Sequence, residues 1–461
     1  MSIKPAWQVI NDIIRSLTRL RADQRGGVAV MMGLLFPVLL ATLGLGFEIS
    51  NWYLKTRSMQ NAADAAAIAA ASNGEDNFNI EAAAVAANYG FIDGTDNVTV
   101  TASNAATCPA GADLTPPCYS VTISSAVPLF LSQFVGYTGD TTLKGAPEKL
   151  LTSAAVAVQL TKPQPLCLLT LSQSGTGIRT NGAPKADFTG CSVMSDSSSN
   201  CNGSNLNANY GLAAGTNTGC GNKQKSNIPI VPDPYLAMAG NVPTNTCGAG
   251  ANAYPQEPVK KNDPPLPSSN LWSGSKSFSG VVQMCGDVQL TGDVVITTPD
   301  NLTGAVLVIE NGLLDLNGHT LSTASGSAVT IVFSGTNSGS YQHIPTGAGT
   351  LDIQAPKTGS FPGVAIYQHP ILKSGVDITY TGNNPTWDMT GAVYLPNSNV
   401  QISGAVNKSS NGADCFVMVS NTVLINGTAS IYQQSPNGEG CKQAGLNMPT
   451  AAIPGRSQLV F

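Results

Sequence analysis

Charge is scarce in this chain. Only 11 % of its 461 residues are Asp, Glu, Lys or Arg, against about 25 % in an ordinary soluble domain. Arginine is scarcer still: of seven, five lie at or before Arg57, leaving only Arg179 and Arg456 beyond it. A surface that grips phosphates needs many more cations, and the net charge of −5 adds no pull. Nucleic acid is therefore excluded as a partner. The three histidines, His319, His343 and His369, are isolated, and no two cysteines have C-x₂₋₄-C spacing, so no zinc site is expected. A P-loop and a strand-led dinucleotide fingerprint are also missing. These absences imply no cofactor, no metal ligand and no catalytic residue.

What the chain has is 48 glycines, abundant Asn, Ser and Thr, and ten cysteines. Hydroxyls and amides cover such a surface, as in many secreted β-solenoids. At 461 residues there is also room for about three ordinary domains.

One apolar stretch stands out. Residues 26–47, opened by Gly26 and closed by Phe47, carry no charge. As a helix they reach about 33 Å, enough to cross a hydrocarbon layer of about 30 Å. Pro37 lies inside, where neighbouring groups can accommodate it. Lys4, Arg15, Arg19, Arg21 and Arg25 precede the stretch; Glu48, Lys55 and Arg57 follow it. That asymmetry predicts a cytoplasmic N-terminus and an exported remainder. A cleaved signal peptide has a shorter apolar core of about 7–15 residues, so a retained anchor is expected. The alanine-rich run after residue 51 continues the helix to a stop at Ser72-Asn73-Gly74. Its small side chains suit either partner helices or its own domain.

The residues of this region resemble a known family. Asp23-Gln24-Arg25-Gly26-Gly27-Val28-Ala29-Val30, then Phe36-Pro37-Val38-Leu39, Asn51-Trp52-Tyr53-Leu54 and Gln60-Asn61-Ala62-Ala63-Asp64-Ala65-Ala66-Ala67, are similar to the TadE/TadG-like N-terminal domain of Flp (tight-adherence) pilus assembly proteins. Prepilin-like members carry Glu five residues after the processing glycine; Met31 and Met32 stand there in this chain, which favours the TadG-like branch. The resemblance implies a non-enzymatic protein of pilus assembly or surface attachment, single-pass in the inner membrane with its bulk periplasmic. Membrane lipid and other pilus-assembly or envelope proteins are its implied partners. Larger TadG-like proteins hold a metal through an Asp-x-Ser-x-Ser motif; the nearest string, Asp196-Ser197-Ser198-Ser199-Asn200, ends in Asn and reads as a polar turn.

Beyond the anchor two grammars follow. Residues 73–160 read as a small α+β module: a helix over 79–89, strands over 98–101, 119–125 and 152–160, and a short helix over 128–134 begun by Pro128. Past residue 160, apolar runs recur at 305–309, 329–333, 364–367, 392–395 and 416–419, starting 24, 35, 28 and 24 residues apart. Shorter alternating pieces follow each run. Such repeats predict a mainly β fold ending in a parallel β-helix-like solenoid. Asn311-Gly312 and Asn426-Gly427 could instead be hairpin turns, which keeps an antiparallel sandwich as the rival. The organisation read is a basic segment (1–25), span and stalk (26–72), α+β module (73–160), first coils (161–228), a Pro-rich insert or linker with nine prolines (229–270), the main solenoid (271–441) and a tail (442–461).

All ten cysteines lie beyond the anchor, and an exported compartment favours disulfides. Sequence alone does not determine connectivity; pairing by proximity gives Cys108–Cys118, Cys167–Cys191, Cys201–Cys220, Cys247–Cys285 and Cys415–Cys441. Two other functions compete with the leading one: a membrane-tethered carbohydrate-active β-helix enzyme, and a surface adhesin. The enzyme would need clustered carboxylates. Asp287, Asp293, Asp315, Asp352, Asp377 and Asp388 could supply them, but no arginine lies between Arg179 and Arg456.

Overall fold

The computed structural model describes Trp7, Asn11, Ile14 and Arg15, and then residues 25–74, 77–108, 117–202, 205–250, 252–336, 344–372, 376–380, 386–403, 407–409, 415–427, 430–432 and 439–460. The chain forms two units: Met1–Thr161 with Pro454–Phe461, and Lys162–Ile453. The second is thus inserted, in sequence, into the first.

The first unit is built on helix α1, Arg25–Asn73, which runs unbroken through Pro37. Gly74 closes it at φ +64°, donating its N–H to the Ala70 carbonyl at 3.1 Å. Ala62, Ala63, Ala66, Ala67, Ala70 and Ala71 recur at helical spacing and are fully buried. They pack on Ala82 and Ala86 of helix α2, Phe78–Asn88, and on Tyr119, Val121 and Ile123. The chain's own module therefore occupies the alanine face of the stalk. Strands Val98–Ala106, Cys118–Pro128 and the first part of Ala146–Thr170 form an antiparallel sheet, with Val100 opposite Ile123 and Ala126 opposite Leu150. The helix expected over 128–134 is reduced to one 3-10 turn, Ser132–Val135; Pro128 instead ends a strand.

The second unit is a parallel β-helix-like solenoid. On its long-strand face, Gly280–Cys285, Ala305–Glu310, Val329–Ser334, Val364–Gln368, Gly391–Ile402 and Phe416–Gly427 pair in parallel, each with the next. A second face repeats the order: Leu271–Ser277, Val288–Thr297, His319–Thr323, Gly349–Asp352, Thr386–Asp388, Asn407–Ser409 and Ser430–Tyr432.

The stacking order differs from the chain order. Phe416–Gly427 pairs with the earliest coil, Met418 opposite Leu168 and Val423 opposite Ile178. From there the stack continues through Ser192–Ser195, Gly211–Ala213 and Gln224–Lys225. The chain enters mid-stack, winds to one end by residue 225, and restarts at residue 271 at the other end. It then winds back until its last coil covers its first. The Pro-rich segment makes the crossing. It is a strap over one solenoid and separates no domains.

That strap explains why the long strands read as continuous apolar runs. Ile331 and Phe333 point into the coil with Leu307, Ile309 and Ile366. Val332, Tyr367 and Tyr394 point outward and are covered by Val231 and Tyr235 of the strap. Both faces are buried, so no polar residue alternates with the apolar ones. The Asn-Gly pairs are coil corners, not hairpins. Asn311 turns at φ +50° and its side chain bonds the Thr336 N–H (3.0 Å) and hydroxyl (3.1 Å) of the next coil. A Cβ on Gly312 would lie 2.1 Å from the Gly286 carbonyl, so only glycine fits there.

Candidate functional site

Two places combine unusual chemistry with structure, one in each unit. In the first unit most of the large apolar side chains of α1 from Val28 to Phe47 are exposed, while Met59 and Ala62, Ala63, Ala66, Ala67, Ala70 and Ala71 are buried. This helix is long and apolar enough to cross a membrane. Gly26 lies in its first turn and Phe47 is 78 % exposed at the other end of the uncharged stretch.

Glu48, the first charge after that stretch, is only 4 % exposed. Its carboxylate accepts the backbone N–H groups of Phe130 (2.9 Å), Leu131 (2.8 Å) and Ser132 (2.8 Å), and the Ser132 hydroxyl at 3.0 Å. Four donors satisfy the charge, and charge-assisted bonds of this kind are about twice as strong as neutral ones. They satisfy the N–H groups that open the turn at 132, which have no partner within the turn. Leu131 seats against Gly44, where a Cβ would come within 2.0 Å of its Cδ1. In the sequence Glu48 is only a flanking charge; its partners lie more than 80 residues away and carry no acidic or basic signature.

In the solenoid, carboxylates gather where the strap meets the coils. Asp287 accepts the N–H groups of Glu257 (2.8 Å) and Leu313 (3.0 Å). Gln289 bridges Glu257 (3.3 Å) and Asp315 (2.9 Å). Burial, then a hydrogen bond with Asp315 and the charges of Asp315 and Asp287, push the Glu257 carboxyl up to about 8. A cleft of about 580 Å³ lies beside Glu257, lined by Tyr254, Asp263, Pro264 and Pro267 among others. Glu257 escaped the sequence reading because it sits among prolines rather than on a strand.

The predicted aspartates do not form one cluster. Asp287 and Asp315 are neighbours, Asp352 lies near Asp388, and Asp293 is 3.7 Å from His319. The side chain of Asp377 and all of His343 lie outside the described residues. His369 bonds Ser334 at 3.0 Å, and burial depresses its pKa. Asp196 of the serine-rich string sits at a coil corner and accepts the Val231 N–H of the strap at 2.9 Å; burial raises its carboxyl to about 6. Among the described residues no group of three or more His, Cys, Asp or Glu could hold a metal.

Every cysteine is in a disulfide: Cys108–Cys118, Cys167–Cys191, Cys201–Cys220, Cys247–Cys285 and Cys415–Cys441. Cys167–Cys191 and Cys201–Cys220 staple neighbouring coils, and Cys247–Cys285 holds the strap to a terminal strand.

The chain matches no curated protein and no solved structure. A family match does exist, and it falls on the first of the two places: residues 26–73, the apolar stretch, Glu48 and the alanine-rich stalk, match the family of putative Flp pilus-assembly proteins, TadE/G-like.

Proposed function

We propose that this chain is a single-pass, membrane-anchored, non-enzymatic component of Flp pilus assembly, with a cytoplasmic N-terminus and a periplasmic solenoid. The observation that carries the proposal is a coincidence of place. The pilus-assembly match at 26–73 covers the helix whose first half is apolar and largely exposed. The basic flank before residue 26 supplies the orientation, and five disulfides suit an oxidising compartment. Partners are other pilus-assembly or envelope proteins and membrane lipid.

The carboxylates of the solenoid support a structural role better than a catalytic one. A glycosidase holds its two carboxyl groups about 5–9.5 Å apart around the bond to be cleaved. Glu257 and Asp315 instead bond to each other, and both accept from the Gln289 amide. Deleting the gene in its own host should abolish surface Flp pili, and the Glu257→Gln/Asp315→Asn double variant should restore them. Normal piliation of the deletion strain refutes the role in assembly. Failure of a folded, disulfide-bonded double variant would refute the non-enzymatic reading.

A further inference from the structure

The segment that Glu48 holds carries a surface of its own. Between residues 126 and 139 the sequence has no charge. Within it Phe134 is 85 % exposed and Phe130 66 %, and Leu131 and Val135 are exposed beside them. Four large apolar side chains on one short loop form a patch that a water-facing surface rarely keeps. The loop's place along α1 is fixed by contact: Leu131 packs on Gly44, one turn inside the uncharged stretch, and three loop N–H groups bind Glu48 at its end. The Trp52 and Tyr137 rings pack 6.0 Å apart just beyond, and Tyr53 is exposed next to them. Trp and Tyr favour that depth, between headgroups and water. The first charge after the loop, Asp140, pairs with Lys149 at 2.7 Å.

We infer that residues 129–135 are a second membrane contact: the loop dips Phe130, Leu131, Phe134 and Val135 into the interface of the bilayer leaflet that α1 leaves. The occupant of the patch is lipid, because the patch continues the exposed apolar surface of α1 without a break at Phe47 and Gly44. A crevice of about 500 Å³ between loop and helix, walled by Gly44, Phe47, Trp52, Pro128, Phe130 and Leu131, is open to acyl chains. Glu48 is a positioning residue: its four hydrogen bonds let a carboxylate lie at the membrane boundary and hold the loop at that depth. With two contacts, the first unit cannot swivel freely about its helix. The inference rests on the proposal that α1 spans a membrane.

The test uses the full chain in its native membrane, with p-benzoylphenylalanine placed singly at Phe134, at Phe47 inside the span, or at Ile80 near the far end of α1. Disulfide mapping of each variant verifies folding. Irradiation should give lipid adducts at 134 in a yield within about twofold of that at 47, and none at 80. Adding Glu48→Gln should remove most of the adduct at 134 and leave that at 47. A lipid adduct at 47 with none at 134, or an adduct at 134 to protein alone, overturns the second contact while sparing the anchor. No lipid adduct at either overturns both.

Discussion

A carboxyl group that keeps its proton near neutral pH makes a domain less stable as pH rises, and Glu257 is such a group. Its folded pKa of about 8 exceeds the ordinary 4.5, so between those values the folded state holds a proton that the unfolded state has lost. Stability from this group is complete below about pH 4.5 and is lost up to about pH 8. Asp196, raised from 3.8 to about 6 by burial, acts in the same direction over a lower window. The melting temperature of the solenoid should therefore be higher at pH 5 than at pH 8, and Glu257→Gln should remove much of the difference. A melting temperature that rises over this range contradicts the assignment. Core residues make a separate test. Ile331 is fully buried between coils, so Ile331→Asp should cost about 3–5 kcal/mol, read as a shift in denaturant midpoint. Val259→Asp, at an 88 % exposed site on the strap, should stay within about 0.5 kcal/mol. Ile331 was legible in the sequence because an aliphatic run has one sensible destination. Glu48 and Glu257 were not, because a buried carboxylate is defined by donors and neighbours brought from elsewhere in the chain.

The strap is the element that sequence reasoning saw least well. Nine prolines give it no period, so its path had to come from structure. It runs from Ile228, bonded to Ala213, past Asp233, whose carboxylate accepts the Tyr394 hydroxyl at 2.7 Å, to Asn270, which bonds the carbonyls of Cys285 and Asp287. Burial and the Asp233 charge raise the pKa of Tyr235, and both also act on Tyr394, so these hydroxyls stay neutral donors. Cys247–Cys285 closes a separation of 38 residues. Loop-closure entropy for that length is about 4 kcal/mol. Replacing both cysteines by alanine should speed hydrogen exchange through residues 228–247 while the coil strands 329–334 stay protected. Equal loss of protection in both would show that strap and coils unfold as one. The coil strands themselves were readable, since each is an apolar run of strand length bounded by Gly, Asn and Ser. Their unbroken character had a cause outside the strands: the strap buries their second face.

At the scale of the molecule, repeat spacing predicts a solenoid but not the order of its coils. Spacing suggests that neighbours in sequence are neighbours in space; that holds from residue 271 to 427 and fails where the last coil meets the first. Met418 and Leu168 lie opposite one another in parallel strands, 250 residues apart in sequence. Met418→Cys with Leu168→Cys should therefore form a sixth disulfide, visible by non-reducing mass mapping, whereas Met418→Cys with Trp272→Cys, on the strand at the far end of the stack, should not. Linking of the second pair alone would contradict this stacking order. The same winding puts the solenoid's entry and exit in the middle of the stack, so the chain can leave at Ile453 and return to the unit that contains the helix. Val460 there donates its N–H to the Val156 carbonyl at 2.9 Å. The central claim is that this helix holds an exported domain to a membrane. Alkaline phosphatase fused after Phe461 tests it in one measurement: phosphatase activity in carbonate-washed membranes. The account predicts an active enzyme that stays with the membrane pellet. An inactive fusion, or activity released into the soluble fraction, would contradict it.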